Sequence, residues 1–132
     1  MVNMWEHIEK DIERTRKEMN FFSLSTQVKM NESLVWLSRS KAKMREKKET
    51  DNLENHRDVL SRVLFVFART NVAVGYAQGM NEIAAVLYYC FYTMSDPEDM
   101  HHAEADTFWC FFNLIVAVVC SLYSLEIISF LG

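Results

Sequence analysis

The chain has 132 residues, half of them apolar, and a formal net charge of −4. This length is sufficient for one domain with a hydrophobic core, and the net charge argues against nucleic acid as the main partner. All fourteen Lys and Arg residues lie within residues 1–69 beside eleven acids, whereas residues 70–132 carry seven acids and no base. Few turn-forming residues (three Gly and one Pro) together with many helix formers predict an all-α fold.

The first predicted helix begins at Asn3, a favourable N-cap, with Glu6 three residues later in a capping-box-like position. One inward-facing stripe then follows the helical period: Met4, Ile8, Ile12, Thr15 and Met19. Arg14 lies about 200° around the helix from Ile12, so it points away from that stripe. The same outward face carries His7, Asp11 and Glu18.

Residues 23–54 show no clear period and are predicted to form a variable insertion. The insertion contains a short apolar patch at residues 34–37 and a basic run from Arg39 to Lys48. We expect the basic run to be solvated, because charge runs usually form exposed surface. The alternative is that it contacts phosphate groups or an anionic membrane surface.

Three further helices are predicted in the rest of the chain. The second begins near the cap residue Asn55 and ends around residues 69–71, with an apolar face formed by Val59, Leu60, Val63, Leu64 and Phe67. A connector over residues 72–79 follows, in which Gly75 and Gly79 allow tight bends. The third helix covers residues 80–94, and a break at residues 95–99 precedes a fourth helix that starts near His101.

Eighteen residues from Phe108 to Leu125 carry no charge, a length within the range of a transmembrane helix. Asn113, Ser121 and Ser124 interrupt the run, and no Lys or Arg follows it, so a positive-inside signal is missing. A helix buried inside a larger helical protein has the same pattern, and we favour this interpretation. A membrane span and a tail introduced by an incorrect gene prediction stay open as alternatives.

The three cysteines, Cys90, Cys110 and Cys120, lie within apolar stretches and lack the spacing of zinc ligands or of a redox pair. We expect buried, reduced thiols in a cytosolic protein and no metal site. The N-terminal residues are too charged for a secretory signal. The start of the fourth helix is expected to face the core through Phe108, Trp109, Phe111 and Leu114.

Two short segments carry residues that suggest chemistry. In residues 8–15, IEKDIERT, Arg14 lies on the exposed helix face with Asp11 one turn before it, close enough to orient it. In residues 76–81, YAQGMN, Gln78 lies between two glycines just where a helix starts. Taken singly, the first segment is typical of an ordinary surface ion pair. The second is typical of a turn, with Tyr76 as a packing aromatic.

Together and in this order, the two segments resemble the IxxDxxR and YxQG motifs of the TBC-domain GTPase-activating proteins of Rab GTPases. Residues 55–89 are similar to the helix–loop–helix around the family's glutamine. Residues 102–114 are similar to the helix that follows, most closely in the member-13-like branch. The resemblance covers residues 5–22 and 55–115. It predicts that residues 1–115 form the N-terminal half of a TBC domain and that residues 116–132 are a divergent apolar tail.

The resemblance implies that the chain activates a Rab GTPase in trans and is not itself an enzyme. It implies that Arg14 is an arginine finger and that Gln78 is a glutamine finger that positions water. Supporting or GTPase-contacting roles are implied for Asp11, Thr15, Tyr76, Gly79 and Asn81. Asp11 would orient the finger helix, and Gly79 would allow close approach of the GTPase. From position alone, Asn81 and Glu82 are a helix-start cap and a first-turn acid.

Three departures from the family pattern affect these expectations. The family's upstream arginine–tryptophan motif is absent, and Val72 stands where the family has proline, which is a small loss of loop rigidity. The resemblance fades after Ile115, and the second half of the domain is missing. Because an arginine finger acts only on a rigidly held helix, we expect the chain alone to be a poor activator with exposed apolar surface.

Two other functions stay open: a non-catalytic fragment that binds a Rab or a sister domain, and a single-pass membrane protein anchored by residues 108–125. No cofactor is expected, because GTP and Mg²⁺ would belong to the partner GTPase. We expect a cytoplasmic protein of vesicle traffic that contacts endomembranes indirectly, through the Rab. Specificity for one Rab would depend on the surface around the two fingers.

Overall fold

A computed structural model describes residues 3–29 and 53–132 of this chain, and these residues form four α-helices. The helices are α1 (Met4–Arg14), α2 (His56–Thr70), α3 (Met80–Met94) and α4 (Ala103–Leu131). Short 3-10 turns cover Asn20–Ser23 and Met100–His102. The predicted all-α class is confirmed. The apolar patch at residues 34–37 and the basic run at residues 39–48 lie outside the described residues.

A two-stranded antiparallel ribbon, which the sequence did not predict, joins the ends of the predicted insertion. Its strands are β1 (Ser25–Lys29) and β2 (Leu53–Asn55), with Ser25 opposite Asn55. The Thr26 hydroxyl donates to the Glu54 carbonyl oxygen at 3.3 Å, and the His56 N–H donates to the Leu24 carbonyl at 3.2 Å. The ribbon therefore leads directly into α2 and fixes where that helix begins.

The helix starts follow the predicted capping residues, with one difference. At α2, Asn55 and Asp58 form a complete capping box, in which each side chain accepts from the other's backbone N–H at 3.0 Å. At α1, the Asn3 side chain accepts from the Trp5 N–H at 3.3 Å rather than from Glu6. The capping-box-like pair expected at α1 is therefore not formed, although Asn3 is confirmed as its cap.

α1 ends at Arg14, earlier than the apolar stripe suggested. Residues 15–18 form a turn, and Arg16 has a left-handed backbone with φ +45°. That conformation is unusual for a residue other than glycine. Thr15 is buried and Met19 half-buried, so the stripe does face inward. It continues past the helix because the chain turns back onto the core.

The core is built around α2, whose five predicted apolar positions, residues 59, 60, 63, 64 and 67, are all buried. Ile8 and Ile12 of α1 pack against it, and Ala84 and Ala85 of α3 allow that helix to approach closely. The Phe111 ring of α4 meets the Phe67 ring edge to face at 5.0 Å. The periodicity read from the sequence therefore identified the packing surface of α2 correctly.

Arg62 of α2 connects this helix to α4 and to β2 beside the core. Its Nε and Nη2 donate to the two carboxylate oxygens of Glu104 on α4 at 2.6 and 2.7 Å, and its Nη1 donates to Glu54 on β2. Burial alone would lower the pKa of Arg62. The hydrogen bonds and charges of Glu104 and Glu54 outweigh this effect and raise it above its ordinary value.

His56 is buried at the start of α2, where its ring stacks on Phe21 at 4.2 Å and its Nδ1 bonds to the Tyr88 hydroxyl at 2.7 Å. Burial disfavours the charged imidazole and lowers the His56 pKa to about 4. The unfolded chain, with a His pKa near 6.5, therefore binds more protons than the folded chain between pH 6.5 and 4. The stability contribution of neutral His56 is present above that window and is lost as the pH falls through it.

We therefore expect the free energy of unfolding to fall by about 2 kcal/mol between pH 7 and pH 5 on account of His56. His56→Gln removes the titrating group and should flatten this part of the profile. The exposed His101→Gln variant should keep the wild-type slope. Urea unfolding at the two pH values measures both effects, and an unchanged slope in His56→Gln would contradict the assignment.

α4 is 29 residues long and packs on the domain through its first half. Its buried residues are Ala103, Thr107, Phe111 and Ile115, and every residue from 116 onward is exposed or half-buried. Among the described residues, the second half of the run at residues 108–125 is therefore largely exposed, and its burial in a larger helical protein stays a prediction. In this second half, Val119 still packs on the core as a half-buried residue, whereas residues 120–132 are exposed.

By length and composition, one helix of the described residues (Met100–Leu131) could cross a membrane, and 6% of its most apolar 18-residue window is buried. Phe111 and Ile115, however, lie in the domain core. With them in place, residues 116–131 extend only about 24 Å at 1.5 Å per residue, short of a hydrocarbon layer of about 30 Å. A full span over Phe108–Leu125 would require the domain to give up these core contacts.

Several apolar side chains of α3 and α4 are less buried than the sequence suggested. Trp109 and Leu114 are exposed, whereas Phe108 is half-buried and Phe111 is fully buried. Cys90 and Cys120 are exposed and Cys110 is intermediate, so the predicted burial is wrong for two of the three cysteines, although all three are free. The exposed side chains Trp109, Leu114, Cys90 and Cys120 lie on helix faces that are open to solvent among the described residues.

Candidate functional site

Arg14 is the last residue of α1, and its side chain is 65% exposed. Its Nε donates to the Lys10 carbonyl at 3.2 Å, and its Nη2 donates to Asp11 Oδ1 at 2.7 Å. These two bonds come from the preceding turn of the same helix, as their spacing of three and four residues requires. The guanidinium is thus oriented by its own helix while most of the side chain stays open to solvent.

Asp11 is buried, with 3% of its side chain exposed, which corrects the prediction that it lies on an exposed face. The reason is tertiary: Tyr76 covers this face of α1, and its hydroxyl donates to Asp11 Oδ2 at 2.6 Å. Burial and, after it, the hydrogen bond to Asp11 raise the pKa of Tyr76. The His7 ring meets the Tyr76 ring edge on at 5.3 Å. The Tyr76 hydroxyl therefore has a hydrogen-bond partner.

Tyr76→Phe is expected to lower the free energy of unfolding by about 1–3 kcal/mol, because it leaves a buried Asp11 oxygen without this donor. The matched control is Tyr123→Phe, whose ring is 62% exposed on the second half of α4 and whose change should stay within about 0.5 kcal/mol. Urea unfolding of the two variants and the wild type at pH 7 measures the difference. Equal midpoints for both variants would show that the Tyr76–Asp11 bond adds no stability.

The connector before α3 presents Gln78 to solvent. Gly75 and Gly79 both have left-handed backbones, with φ +63° and +104°, and α3 begins at Met80 directly after the second of them. The Gln78 side chain is exposed. Within the described parts of the chain, no hydrogen bond holds its amide. Both glycines therefore bend the loop as predicted, and the amide between them is available to a partner.

Asn81 connects this connector to the end of α1. Its side chain is buried: Oδ1 accepts from the Gly79 N–H at 3.1 Å, and Nδ2 donates to Thr15 Oγ1 at 2.8 Å. Thr15 in turn donates to the Asp11 carbonyl at 2.7 Å. Asn81 is thus more than the helix-start cap expected from its position. It couples the Gln78 loop to the residue that follows Arg14.

An open pocket of about 290 Å³ lies at this junction and is lined by Asp11, Arg14, Gln78, Gly79, Asn81 and Glu82. It therefore brings together five of the seven predicted site residues. The other two, Thr15 and Tyr76, contribute to the hydrogen bonds behind it. Glu82 forms an ion pair with Arg16 Nε at 2.9 Å. No group of three or more potential metal ligands occurs in residues 3–29 and 53–132.

One residue of the site was missed from the sequence. Arg57, the second residue of α2, donates through Nη1 to the Ile12 carbonyl at 2.5 Å and to the Thr15 carbonyl at 2.7 Å. No sequence signal could have identified it, because these partners lie 45 and 42 positions away. Only the packing of α1 on the start of α2 brings them together.

Comparison with known proteins identifies the family of this chain. The family model of the Rab-GTPase-TBC domain matches residues 37–126, more than half of the sequence. The chain belongs to the Rab-GTPase-TBC domain family. The match includes the loop that carries Gln78 but not α1. Because the matched residues of this TBC chain do not include Arg14, its position in the site is inferred from its hydrogen bonds and from the pocket that it lines.

The sequence matches to individual relatives cover about half of the chain. The TBC1 domain family member 13 proteins of Homo sapiens and Mus musculus are each 49% identical over 65 residues, which is 49% of this chain and 16% of theirs. A TBC domain-containing protein of Schizosaccharomyces pombe is 43% identical over 63 residues, or 10% of its length. The matched part of the TBC chain thus spans about a sixth or less of these relatives. No solved structure matches it significantly.

Proposed function

We propose that this chain is a GTPase-activating protein for a Rab-family GTPase, to which it supplies Arg14 and Gln78 in trans. The observation that carries the proposal is that these two exposed side chains line one open pocket. Gln78 is free of internal hydrogen bonds among the residues described, and Arg14 is bonded only to the preceding turn of its own helix. Membership of the TBC family supports the same activity.

The two residue types suit the reaction. Hydrolysis of GTP spreads negative charge over the transferred phosphoryl group and requires a water held in line with the bond that breaks. The planar, permanently charged guanidinium of Arg14 suits phosphate oxygens better than an ammonium group would. The Gln78 amide accepts a hydrogen bond through its oxygen and donates through its nitrogen, so it can orient the attacking water.

The residues around the pocket hold these groups in place. The Asp11 carboxylate accepts hydrogen bonds from Arg14 Nη2 and from the Tyr76 hydroxyl. The arginine is therefore bonded to a buried carboxylate that has a second donor of its own. A Cβ at Gly79 would meet no atom within 4 Å, so the surface there is open for the backbone of a partner to approach. The site therefore combines accessible reactive groups with a fixed layer of polar side chains behind them.

The partner in this proposal is a Rab GTPase with bound GTP and Mg²⁺, so the chain needs no cofactor of its own. The chain acts as a regulator and not as an enzyme. It functions in the cytoplasm during vesicle traffic and contacts endomembranes through the Rab. Nucleic acid is not a partner, in keeping with the net charge of −4.

The test is a phosphate-release assay with the purified 132-residue chain. A panel of Rab GTPases is loaded with GTP, and each hydrolysis rate is measured with and without an excess of the chain. Acceleration of at least one Rab, saturating with the concentration of the chain, supports the proposal. Intrinsic rates across the whole panel would reject it.

A second candidate, a Rab-binding fragment without activating power, is favoured by the exposed second half of α4. An exposed apolar surface of this kind can serve in binding another protein without catalysis, whereas a finger must be held rigidly to act. Titration of the chain onto a Rab loaded with a non-hydrolysable GTP analogue separates the two. Saturable binding with no acceleration would identify the fragment as non-catalytic.

A further inference from the structure

The C-terminal end of α1 has carbonyl groups that its own helix does not satisfy. The last four carbonyls of any α-helix lack intrahelical partners, and α1 ends at Arg14, the proposed finger. Two carbonyls at this end accept hydrogen bonds from Arg57 Nη1: that of Ile12, which also accepts from the Thr15 N–H at 3.1 Å, and that of Thr15, the C-cap residue. A cation at this position also interacts favourably with the negative end of the helix dipole.

Arg57 is well placed to hold this end because its own backbone is anchored. It directly follows the buried His56, which is stacked on Phe21, and it precedes Asp58, which forms the capping box of α2 with Asn55. Its guanidinium carbon lies 6.0 Å from the centre of the Phe22 ring. Burial lowers the pKa of Arg57, whereas the charge of Glu13 raises it. The group is thus partly desolvated, which strengthens its charge-assisted hydrogen bonds.

Thr15 connects Arg57 to the other residues of the site. Its carbonyl accepts from Arg57, and its hydroxyl bonds with Asn81 and with the Asp11 carbonyl. The residue directly after the finger is therefore fixed from two directions, by α2 and by α3. Without Arg57, the attachment of Thr15 to α2 is lost, whereas its hydroxyl bonds to Asn81 and to the Asp11 carbonyl remain.

We propose that Arg57 is a positioning residue, which holds the last turn of α1 so that Arg14 enters the GTPase site in a fixed orientation. This inference rests on the proposed function. Arg57 does not line the pocket and acts through the backbone of α1. It should therefore affect the rate of the chemical step much more than the binding of the GTPase.

The test compares Arg57→Gln, Arg57→Lys and Arg69→Gln. Arg69 is an exposed arginine at the other end of α2, so its variant is matched in charge and chemistry. We expect Arg57→Gln to lower kcat for stimulated GTP hydrolysis by roughly ten- to a hundredfold, as expected for a small misplacement of a reacting group. KM for the GTPase should stay within about twofold. Arg57→Lys keeps the charge and its donors and should recover much of kcat, and Arg69→Gln should match the wild type.

Amide hydrogen exchange provides a readout that does not depend on a GTPase. In Arg57→Gln, the amides of residues 12–16 should exchange about tenfold faster than in the wild type, because local opening of this turn is easier. They should be unchanged in Arg69→Gln.

Three results would overturn the inference: wild-type kcat in Arg57→Gln, equal losses in kcat and in affinity for the GTPase, or unchanged exchange at residues 12–16. A wild-type chain that activates no Rab would instead reject the proposed function. In that case, the exchange data would still decide whether Arg57 holds the end of α1.

Discussion

Replacing Arg14 with alanine is expected to lower the Rab-stimulated kcat for GTP hydrolysis by about 10³-fold or more, the magnitude typical of an arginine finger. The side chain is the last of α1 and is 65% exposed, so its removal leaves no cavity. Alanine also favours the helix. The ion pair is exposed on the arginine side, but Asp11 is buried, so loss of this donor is expected to cost about 1–3 kcal/mol of unfolding free energy. Measured on folded protein, the loss in rate should far exceed this modest loss of stability.

Two comparisons make this prediction specific. Arg14→Lys should fail almost as completely, because a lysine lacks the planar fork that matches phosphate oxygens. Lys10→Ala removes a positive charge from the same helix one turn earlier. If the charge of α1 only attracts the GTPase at long range, this variant should show the same effect as Arg14→Ala. We expect it instead to keep the wild-type kcat. Phosphate release under single-turnover conditions measures kcat. Activity of Arg14→Ala within tenfold of the wild type would contradict the role of Arg14.

Replacing Gln78 with alanine is expected to lower the stimulated kcat by on the order of a hundredfold, through loss of the amide that positions the attacking water. Because the Gln78 side chain is exposed and makes no hydrogen bond within the described residues, the fold should be unaffected. Gly75 and Gly79, which give the loop its shape, are unchanged in this variant. Binding of the GTP-loaded Rab should therefore be retained.

The control for Gln78 is Asn113→Ala, which removes an exposed amide from α4, where its Nδ2 donates to the Trp109 carbonyl at 2.9 Å. This variant should hydrolyse GTP at the wild-type rate. The double variant of Arg14 and Gln78 should reach the intrinsic rate of the Rab and go no lower, since both residues act on one transition state. A Gln78→Ala chain as active as Asn113→Ala would show that the Rab uses a water-positioning group of its own.

Much of the fold could be predicted because its signals are local. The cap at Asn55, the five buried positions of α2 and the bounds of α3 follow from spacings of three or four residues. The bends at Gly75 and Gly79 follow from the conformational freedom of glycine. The sequence also identified Arg14 and Gln78 as the reactive candidates, and their exposure agrees with that choice.

The expectations that failed depend on which surfaces are covered. Asp11 was placed on an open face, yet Tyr76, which lies 65 positions away, covers it. Cys90 and Trp109 were expected to be buried because they are apolar, yet no described segment packs over them. An apolar residue indicates that burial is favourable, but it does not indicate that a partner surface is present.

The sequence by itself determined the four described helices and the limits of the Gln78 loop, because caps, helical period and glycine bends act within one or two turns of the chain. Its resemblance to the TBC motifs also supplied Arg14 and Gln78 as the candidate pair. Only the tertiary structure decided how the site is held. The bonds of Arg57 to the end of α1 and of Asn81 to Thr15 join residues 42 to 66 positions apart. Such contacts depend on how whole helices pack against one another, which no local pattern records.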